Sequence, residues 1–251
     1  MSFQDHFSHH ASVYASARPH YPRELFVWLA SLCKSRDCVW DCATGNGQAA
    51  VALAEFFAQV IATDASAGQI AEAIAHPQVQ YRSAPAEQSG LAAASVDLVT
   101  VAQALHWFDI PSFYREVERV LRPGGLLAVW SYGIHTVKPA VDAVVAELYE
   151  PVLGPYWPPE RKLVERQYRD IAFPFAEITA PAFVMQLQWT YAQLEAYLYS
   201  WSATQRYMRE QQRDPIAAIG AALRAAWGTQ EQQTIVWPLT LRLGYHGVSP
   251  D

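Results

Sequence analysis

The chain has 251 residues, is 51% apolar and carries a formal net charge of −6. That length supports one substantial core, or a core with a lid. The acidic balance, with no run of lysines or arginines, argues against nucleic acid and anionic membrane surfaces as partners. No stretch of about 18 consecutive apolar residues occurs, so no transmembrane helix is expected.

In chain order, Met1-Ser2-Phe3-Gln4-Asp5-His6 lacks the basic start and apolar run of a signal peptide, which predicts a cytoplasmic protein. His6, His9 and His10 are spaced i, i+3 and i+4, but a terminal segment is a better reading than a metal site, and no metal is expected. Tyr14 and Arg18 lie about one helical turn apart and share a face if helical. Arg18 suits a fork onto a carboxylate, either of a ligand or of an acidic substrate; the plain alternative is a surface salt bridge. Cys33, Cys38 and Cys42 cluster early and miss zinc spacing, so they read as small buried apolar residues.

Strand signals fall at 38–41, 60–63, 79–82, 96–102 and 126–132, with helical stretches between them. This is the alternation of a doubly wound, mostly parallel sheet. The first strand runs through Val39-Trp40-Asp41 into Cys42-Ala43-Thr44-Gly45-Asn46-Gly47-Gln48-Ala49-Ala50: strand, tight turn, helix. Gly45 and Gly47 let the backbone approach a ligand. The same glycines fit a dinucleotide fingerprint ending in alanine, so two cofactor classes compete. Asp41 separates them, because a carboxylate there repels a pyrophosphate and suits a cationic ligand. The second strand ends on Asp64, about 20 residues beyond the glycines, where a ribose-binding acid is expected; the alternative is an N-cap for the next helix. Glu87 follows the third strand, and three acids at successive strand ends disfavour a phosphate ligand.

Asp109-Ile110-Pro111 opens a helix with a capping acid and an early proline. Phe113, Val117, Val120 and Leu121 share its apolar face, whereas Arg115, Glu116, Glu118 and Arg119 fill the polar one. Pro123-Gly124-Gly125 ends it and leads into the fifth strand. Prolines at 151, 155, 158, 159 and 174 make 151–175 an irregular excursion where a lid begins. A sixth strand is expected over 182–189 and a seventh over 233–243, where Pro238 implies an edge or a bulge. Helices rich in Tyr and Trp, including Trp201, lie between these two.

The turn Asp41-Cys42-Ala43-Thr44-Gly45-Asn46-Gly47, with Asp64, Ala86-Glu87 and Leu121-Arg122-Pro123-Gly124-Gly125, resembles the class I S-adenosylmethionine-dependent methyltransferases. Tyr14, Arg18-Pro19, Tyr21-Pro22, Gln103-Ala104-Leu105-His106-Trp107-Phe108 and Ser200-Trp201-Ser202-Ala203 are similar to its methyltransferase type 11 branch, which includes trans-aconitate methyltransferase-like enzymes. The resemblance implies a Rossmann-like seven-stranded α/β fold with a helical lid, and S-adenosylmethionine as cofactor. It implies cofactor contacts at Tyr14, Arg18, Asp41, Ala43, Thr44, Gly45, Gly47, Gln48, Asp64, Ala65, Ala86, Glu87, Gln103 and Ala104. Ala43 stands where glycine is more usual and leaves less room at the methionyl end.

Methyl transfer from a sulfonium needs mainly alignment and exclusion of water. A proton-bearing acceptor also needs a base; an ionised carboxylate does not. His106 follows the fourth strand at its carboxyl end, where ligands sit in open α/β sheets. It reads equally as a base or donor facing substrate and as a structural tie to backbone; with Arg18 it forms the catalytic expectation. Trp107 reads as a pocket wall. Gln48 and Gln103 either contact cofactor or cap local backbone, and Ser202 with Arg206 either holds an acid or is a solvated pair. The expected organisation is an N-terminal segment with cofactor core over 1–135, a substrate lid over 136–232, and the last strand and tail over 233–251. The leading expectation is methyl transfer to a small-molecule acceptor, with a carboxylic acid oxygen favoured, by a monomer or homodimer. An NAD(P)-dependent oxidoreductase and a non-catalytic S-adenosylmethionine-binding protein are the alternatives.

Overall fold

Two strands with side chains buried on both faces form the centre of the sheet, which is why their sequences are nearly continuous apolar runs rather than alternating ones. These are β1 (Cys38–Cys42) and β4 (Val96–Ala102). In the computed structural model, which describes residues 19–247, they are joined by β2 (Gln59–Asp64), β3 (Val79–Ser83), β5 (Leu121–Tyr132), β6 (Ala176–Glu177), β7 (Phe183–Thr190) and β8 (Gln232–Tyr245). The eight-stranded sheet has the order β3-β2-β1-β4-β5-β8-β6, with β7 also paired to β8. The first five are mutually parallel, and β6, β7 and β8 pair antiparallel.

The sheet is therefore mixed and has one strand more than the seven expected, because the short β6 pairs with Gly244 and Tyr245 before the chain returns as β7. Long β8 is shared: its first half pairs with β7 and its second with β5. Pro238 lies between Val236, bonded to Thr136, and Leu239, opposite Tyr132. A residue that cannot donate thus falls where the pairing on that side changes hands.

The helices are α1 (Arg23–Leu32), α2 (Gln48–Leu53), α3 (Ala67–Ala71), α4 (Ile110–Val120), α5 (Pro139–Glu147), α6 (Arg161–Glu165), α7 (Tyr191–Tyr199), α8 (Ser202–Gln211) and α9 (Pro215–Trp227). Alternate residues of each central strand feed opposite faces. Val39, Leu126, Ala128 and Trp130 join the core under α1, α2 and the later helices; Trp40, Leu127 and Val129 join Phe113, Val117 and Val120 of α4. The first core runs without a break from Leu25 through Trp189, Leu198 and Trp227.

Three local expectations change. Between β3 and β4 residues 84–95 form turns rather than a helix, in a stretch that contains Pro85 and Gly90, the latter with φ of +72°. Leu121 leaves the helix and opens β5 opposite Val96; the register then shifts around Pro123-Gly124-Gly125. Glu116 is buried rather than solvated: it accepts from the Ser89 backbone and hydroxyl and pairs with Arg119 at 2.7 Å. These bonds outweigh the cost of burying the charge and keep its carboxyl below the usual range, Arg119 most of all. Among the described residues no helix is long and apolar enough to cross a membrane.

Candidate active site

The turn after β1 is built around a buried acid. Asp41 is 1% exposed, and its two oxygens accept the hydroxyls of Thr44 at 2.6 Å and Thr100 at 2.7 Å. Burial raises its carboxyl to about 6; the two threonines oppose that shift, and nearby Asp64 adds to it. Asp41 thus organises the turn from beneath. Above it Ala43, Gly45 and Gly47 have φ of +54°, +58° and +85°. A side chain at 43 tolerates this left-handed geometry at a cost on the order of 1 kcal/mol. The glycines differ: a Cβ at Gly45 would meet only Gln69 Oε1, at 3.6 Å, whereas one at Gly47 would strike the Tyr81 hydroxyl at 2.1 Å. Only Gly45 leaves open space over the turn; the bare face of Gly47 admits a tyrosine ring.

Asp64, half-buried at the end of β2, accepts from the Gly45 N–H at 2.9 Å and the Ser66 N–H at 2.8 Å. The N-cap of α3 is Ser66, whose hydroxyl accepts from the Gln69 N–H. Ala65 beside Asp64 is exposed and Ala86 is buried. Glu87 accepts the Asp109 N–H at 2.9 Å, which ties the loop after β3 to the start of α4. Asp109 is the N-cap, but its side chain takes the Ser112 hydroxyl rather than a backbone N–H. Burial, then the charges of Asp41, Glu87 and Asp64, hold the Cys42 thiol well above its ordinary range. The three acids therefore converge around one strand end. Gln48 donates to the Pro19 carbonyl at 3.1 Å and meets His20 at 3.0 Å, tying the entry to α1 onto the start of α2.

The other half of the site forms at the ends of β4 and β5. Gln103 has φ of +57°; its N–H donates to the Trp130 carbonyl and its side-chain amide to the Tyr132 carbonyl, both at 2.9 Å. Its Oε1 is buried without a partner among the described residues. Ala104, buried, leads into the turn Leu105–Trp107. There His106 Nδ1 lies 2.9 Å from the Tyr168 hydroxyl, and its ring packs against those of Trp107 and Tyr168. Burial, with a smaller contribution from Arg161, lowers the imidazole to about 3, so the ring is neutral. Trp107 is 38% exposed.

Arg161 and Tyr168 were not among the expected site residues. The prolines mark their segment as irregular, and nothing local announces a contact spanning 62 residues. Helix α6 packs against the His106 turn. The Arg161 guanidinium lies over Tyr149 and Trp157, and its Nε donates to the Tyr149 hydroxyl at 2.9 Å. Tyr14, Arg18 and the three early histidines lie outside the described residues. Arg206 pairs with Glu210 at 2.7 Å on an exposed helix face, so Ser202 and Arg206 form no acid-binding pair. Cys38 and Cys42 are buried and Cys33 partly so, all free thiols. Among the described residues no metal-binding group of side chains occurs.

Five parallel strands with acids and glycines gathered at one set of strand ends have the layout of a nucleoside-binding α/β fold. The comparisons specify which. A methyltransferase domain family matches residues 40–129. A protein of Dictyostelium discoideum named as a methyltransferase is 36% identical over 233 residues, 91% of this chain and 89% of its own length. A solved structure from Anaeromyxobacter dehalogenans, named as a type II methyltransferase, superposes with a TM-score of 0.86 at 47% identity, covering 91% of this chain and 97% of that one. A Saccharomyces cerevisiae protein named for S-adenosylmethionine-dependent methyl transfer is 29% identical over 47% of this chain and 44% of its own. The chain belongs to the class I S-adenosylmethionine-dependent methyltransferases, and is an enzyme of that kind rather than an NAD(P)-dependent oxidoreductase. The residues present fit the cofactor: an acid at the end of β2 beside the glycine turn, open space over Gly45, a Gln103 oxygen without a partner among the described residues, and converging carboxylates hostile to a pyrophosphate.

Proposed function

We propose that the chain methylates a carboxylate oxygen of a small organic acid. The observation that carries this reading is the pairing of a cation, Arg161, with a neutral imidazole, His106, at the carboxyl end of β4. Arg161 forms a long ion pair with Glu165, 3.9 Å from its Nε, but among the described residues its terminal guanidinium nitrogens have no hydrogen-bond partner and can fork onto an acid. A base serves best with a pKa near the working pH. His106, at about 3, is a weak base, ill matched to a phenol or an ammonium that must lose a proton. An ionised carboxylate needs no base, only a partner that holds and aims it.

Asp64 would take the ribose hydroxyls, Gln103 Oε1 the ammonium or a hydroxyl, and the turn at Gly45 the methionyl end. S-adenosylmethionine, when bound, supplies a methyl group already activated on a sulfonium. The protein's own task is then orientation and dryness: His106, packed against Trp107, and Arg161, over the rings of Tyr149 and Trp157, would fix the acceptor.

Methyl transfer from labelled cofactor to panels of carboxylic acids, phenols and amines tests the reading. Acids should be labelled; turnover confined to phenols or amines would overturn it. Arg161→Ala should raise the KM for the acid about 10–100-fold, the worth of a charged hydrogen bond, with cofactor affinity unchanged. Asp64→Ala should weaken cofactor binding by about 1.5–3 kcal/mol, roughly tenfold or more, in calorimetry on a folded protein. Unchanged affinity there would reject the ribose role and leave Asp64 a structural one, with its bonds to the Gly45 and Ser66 N–H groups.

A further inference from the structure

The sequence left His106 as a base or a donor facing substrate, or as a structural tie, and one buried phenol separates the base from the donor. Tyr168 is 1% exposed and reaches the His106 ring from the irregular segment after α6. Its backbone is held in an uncommon geometry: Gln167 and Tyr168 have φ of +59° and +56°, consecutive left-handed residues with side chains. Such positions cost on the order of 1 kcal/mol each and persist only where the surroundings enforce them. Here the Tyr168 N–H donates to the Leu163 carbonyl at 2.8 Å. The Tyr168 carbonyl accepts from Arg242 at 2.8 Å, and the same guanidinium nitrogen donates to the Ile171 carbonyl at 2.6 Å. Arg242 is itself anchored by Glu177 at 3.0 Å and lies over the Phe173 ring. The strained turn is thus clamped from β8, and the clamp sets the position of one hydroxyl.

That hydroxyl needs an acceptor for its proton. Among the described residues the hydroxyl, on a buried side chain, has one hydrogen-bond partner, Nδ1 of His106 at 2.9 Å. A phenolic oxygen offers one proton and acceptor capacity for about two donors. A buried hydroxyl proton left without an acceptor bears its full desolvation penalty, and Nδ1 is the acceptor in reach, so the phenol proton is directed at Nδ1. The neutral ring must then carry its own proton on Nε2, since the tautomer of a histidine follows from the bond its other nitrogen makes.

We propose that Tyr168 is a positioning residue that locks His106 in its Nε2–H tautomer, so that the imidazole presents the methyl acceptor with a hydrogen-bond donor and not with a base. The proposal deepens the carboxylate reading and rests on it for the identity of the acceptor, although the tautomer itself does not depend on any substrate. A donor on one side and Arg161 on the other complement the two oxygens of an anion; a lone pair aimed at a carboxylate would repel it. The lowering of the imidazole by burial agrees, because a ring that stays neutral keeps this arrangement across the physiological range.

Nitrogen-15 NMR of the whole protein tests this directly, with the His106 ring signals identified by their loss in His106→Gln. The expected result is an unprotonated Nδ1 and a protonated Nε2 between pH 5.5 and 8. In Tyr168→Phe the Nδ1–H form should become populated, because the donor that excluded it is gone. With an acid acceptor, that variant should raise KM several-fold more than it lowers kcat, and the pH profile should gain no limb at the ordinary histidine value. A wild-type ring protonated on Nδ1 overturns the proposal, and so does a single Nε2–H tautomer that survives in a folded Tyr168→Phe. If that variant does not fold, the wild-type assignment decides alone. Failure of acids as acceptors would sink the carboxylate reading and leave the tautomer result standing.

Discussion

Replacing Gly47 with alanine should destabilise the folded protein by about 2–4 kcal/mol, the sum of a left-handed alanine at about 1 kcal/mol and overpacking at about 1–3 kcal/mol. The steric part has one source. The added methyl would lie 2.1 Å from the Tyr81 hydroxyl and 2.8 Å from the ring carbon that bears it, and the hydroxyl is held by a 2.7 Å bond to the Ile74 carbonyl. Gly45→Ala shares the conformational cost, with φ of +58° against +85°, but meets nothing closer than 3.6 Å. Denaturant titration of the two variants should therefore separate them by about 1–3 kcal/mol. Placing Gly47→Ala in a Tyr81→Ala background should remove most of the difference. Equal costs for the two glycine replacements would mean that the Tyr81 ring gives way freely. Gly45→Ala carries its penalty in cofactor binding instead, since its methyl enters the open space over the turn.

The contrast between these glycines shows what the sequence did and did not reveal. Both were legible as the turn between β1 and α2, because strand, turn and helix signals are local and the left-handed requirement is written in the residue type. Which glycine faces a ligand was not legible, since Tyr81 comes from a strand two positions across the sheet. Asp41 was likewise visible as an acid at a strand end, yet its hydroxyl partners are Thr44 nearby and Thr100 in β4, 59 residues on. The five parallel strands, β7 and β8 were placed within a few residues by their apolar runs. The two-residue β6 lacked enough pattern to be seen. Glu116 was assigned to a solvated face because periodicity cannot anticipate that Ser89 would bury it. At the site, His106 was readable from its place after β4. Arg161 and Tyr168 were not, because their position depends on a clamp from Arg242 in the last strand, which no periodicity encodes.

Acidification should expose another feature that burial created. His135 is 3% exposed, lies among the rings of Tyr197, Trp201 and Trp237, and has neither ring nitrogen hydrogen-bonded among the described residues. Burial alone lowers its imidazole to about 4, against an ordinary 6.5 when the chain is unfolded. Between these values the unfolded chain binds the proton and the native one does not, so the contribution to stability is complete above pH 6.5 and is lost as the pH falls toward 4. The shift corresponds to about 3 kcal/mol. His106, lowered to about 3, acts in the same direction over a wider range. Asp41 acts in the opposite one: its carboxyl, raised from 3.8 to about 6, costs stability above pH 6 and relieves that cost as the pH falls through the interval. A wild-type curve therefore mixes opposed terms, and a substitution is needed to isolate His135. His135→Phe keeps an aromatic ring among aromatic neighbours and removes both unpaired nitrogens. Urea titrations at pH 7 and pH 4 should show it losing about 3 kcal/mol less than wild type over that interval. At pH 7 it should be no less stable, since an unpaired buried polar atom costs about 1–3 kcal/mol. Equal acid losses in the two proteins would mean that the His135 ring gains water or a partner in solution, and that the aromatic cluster around Trp201 is looser than its packing implies.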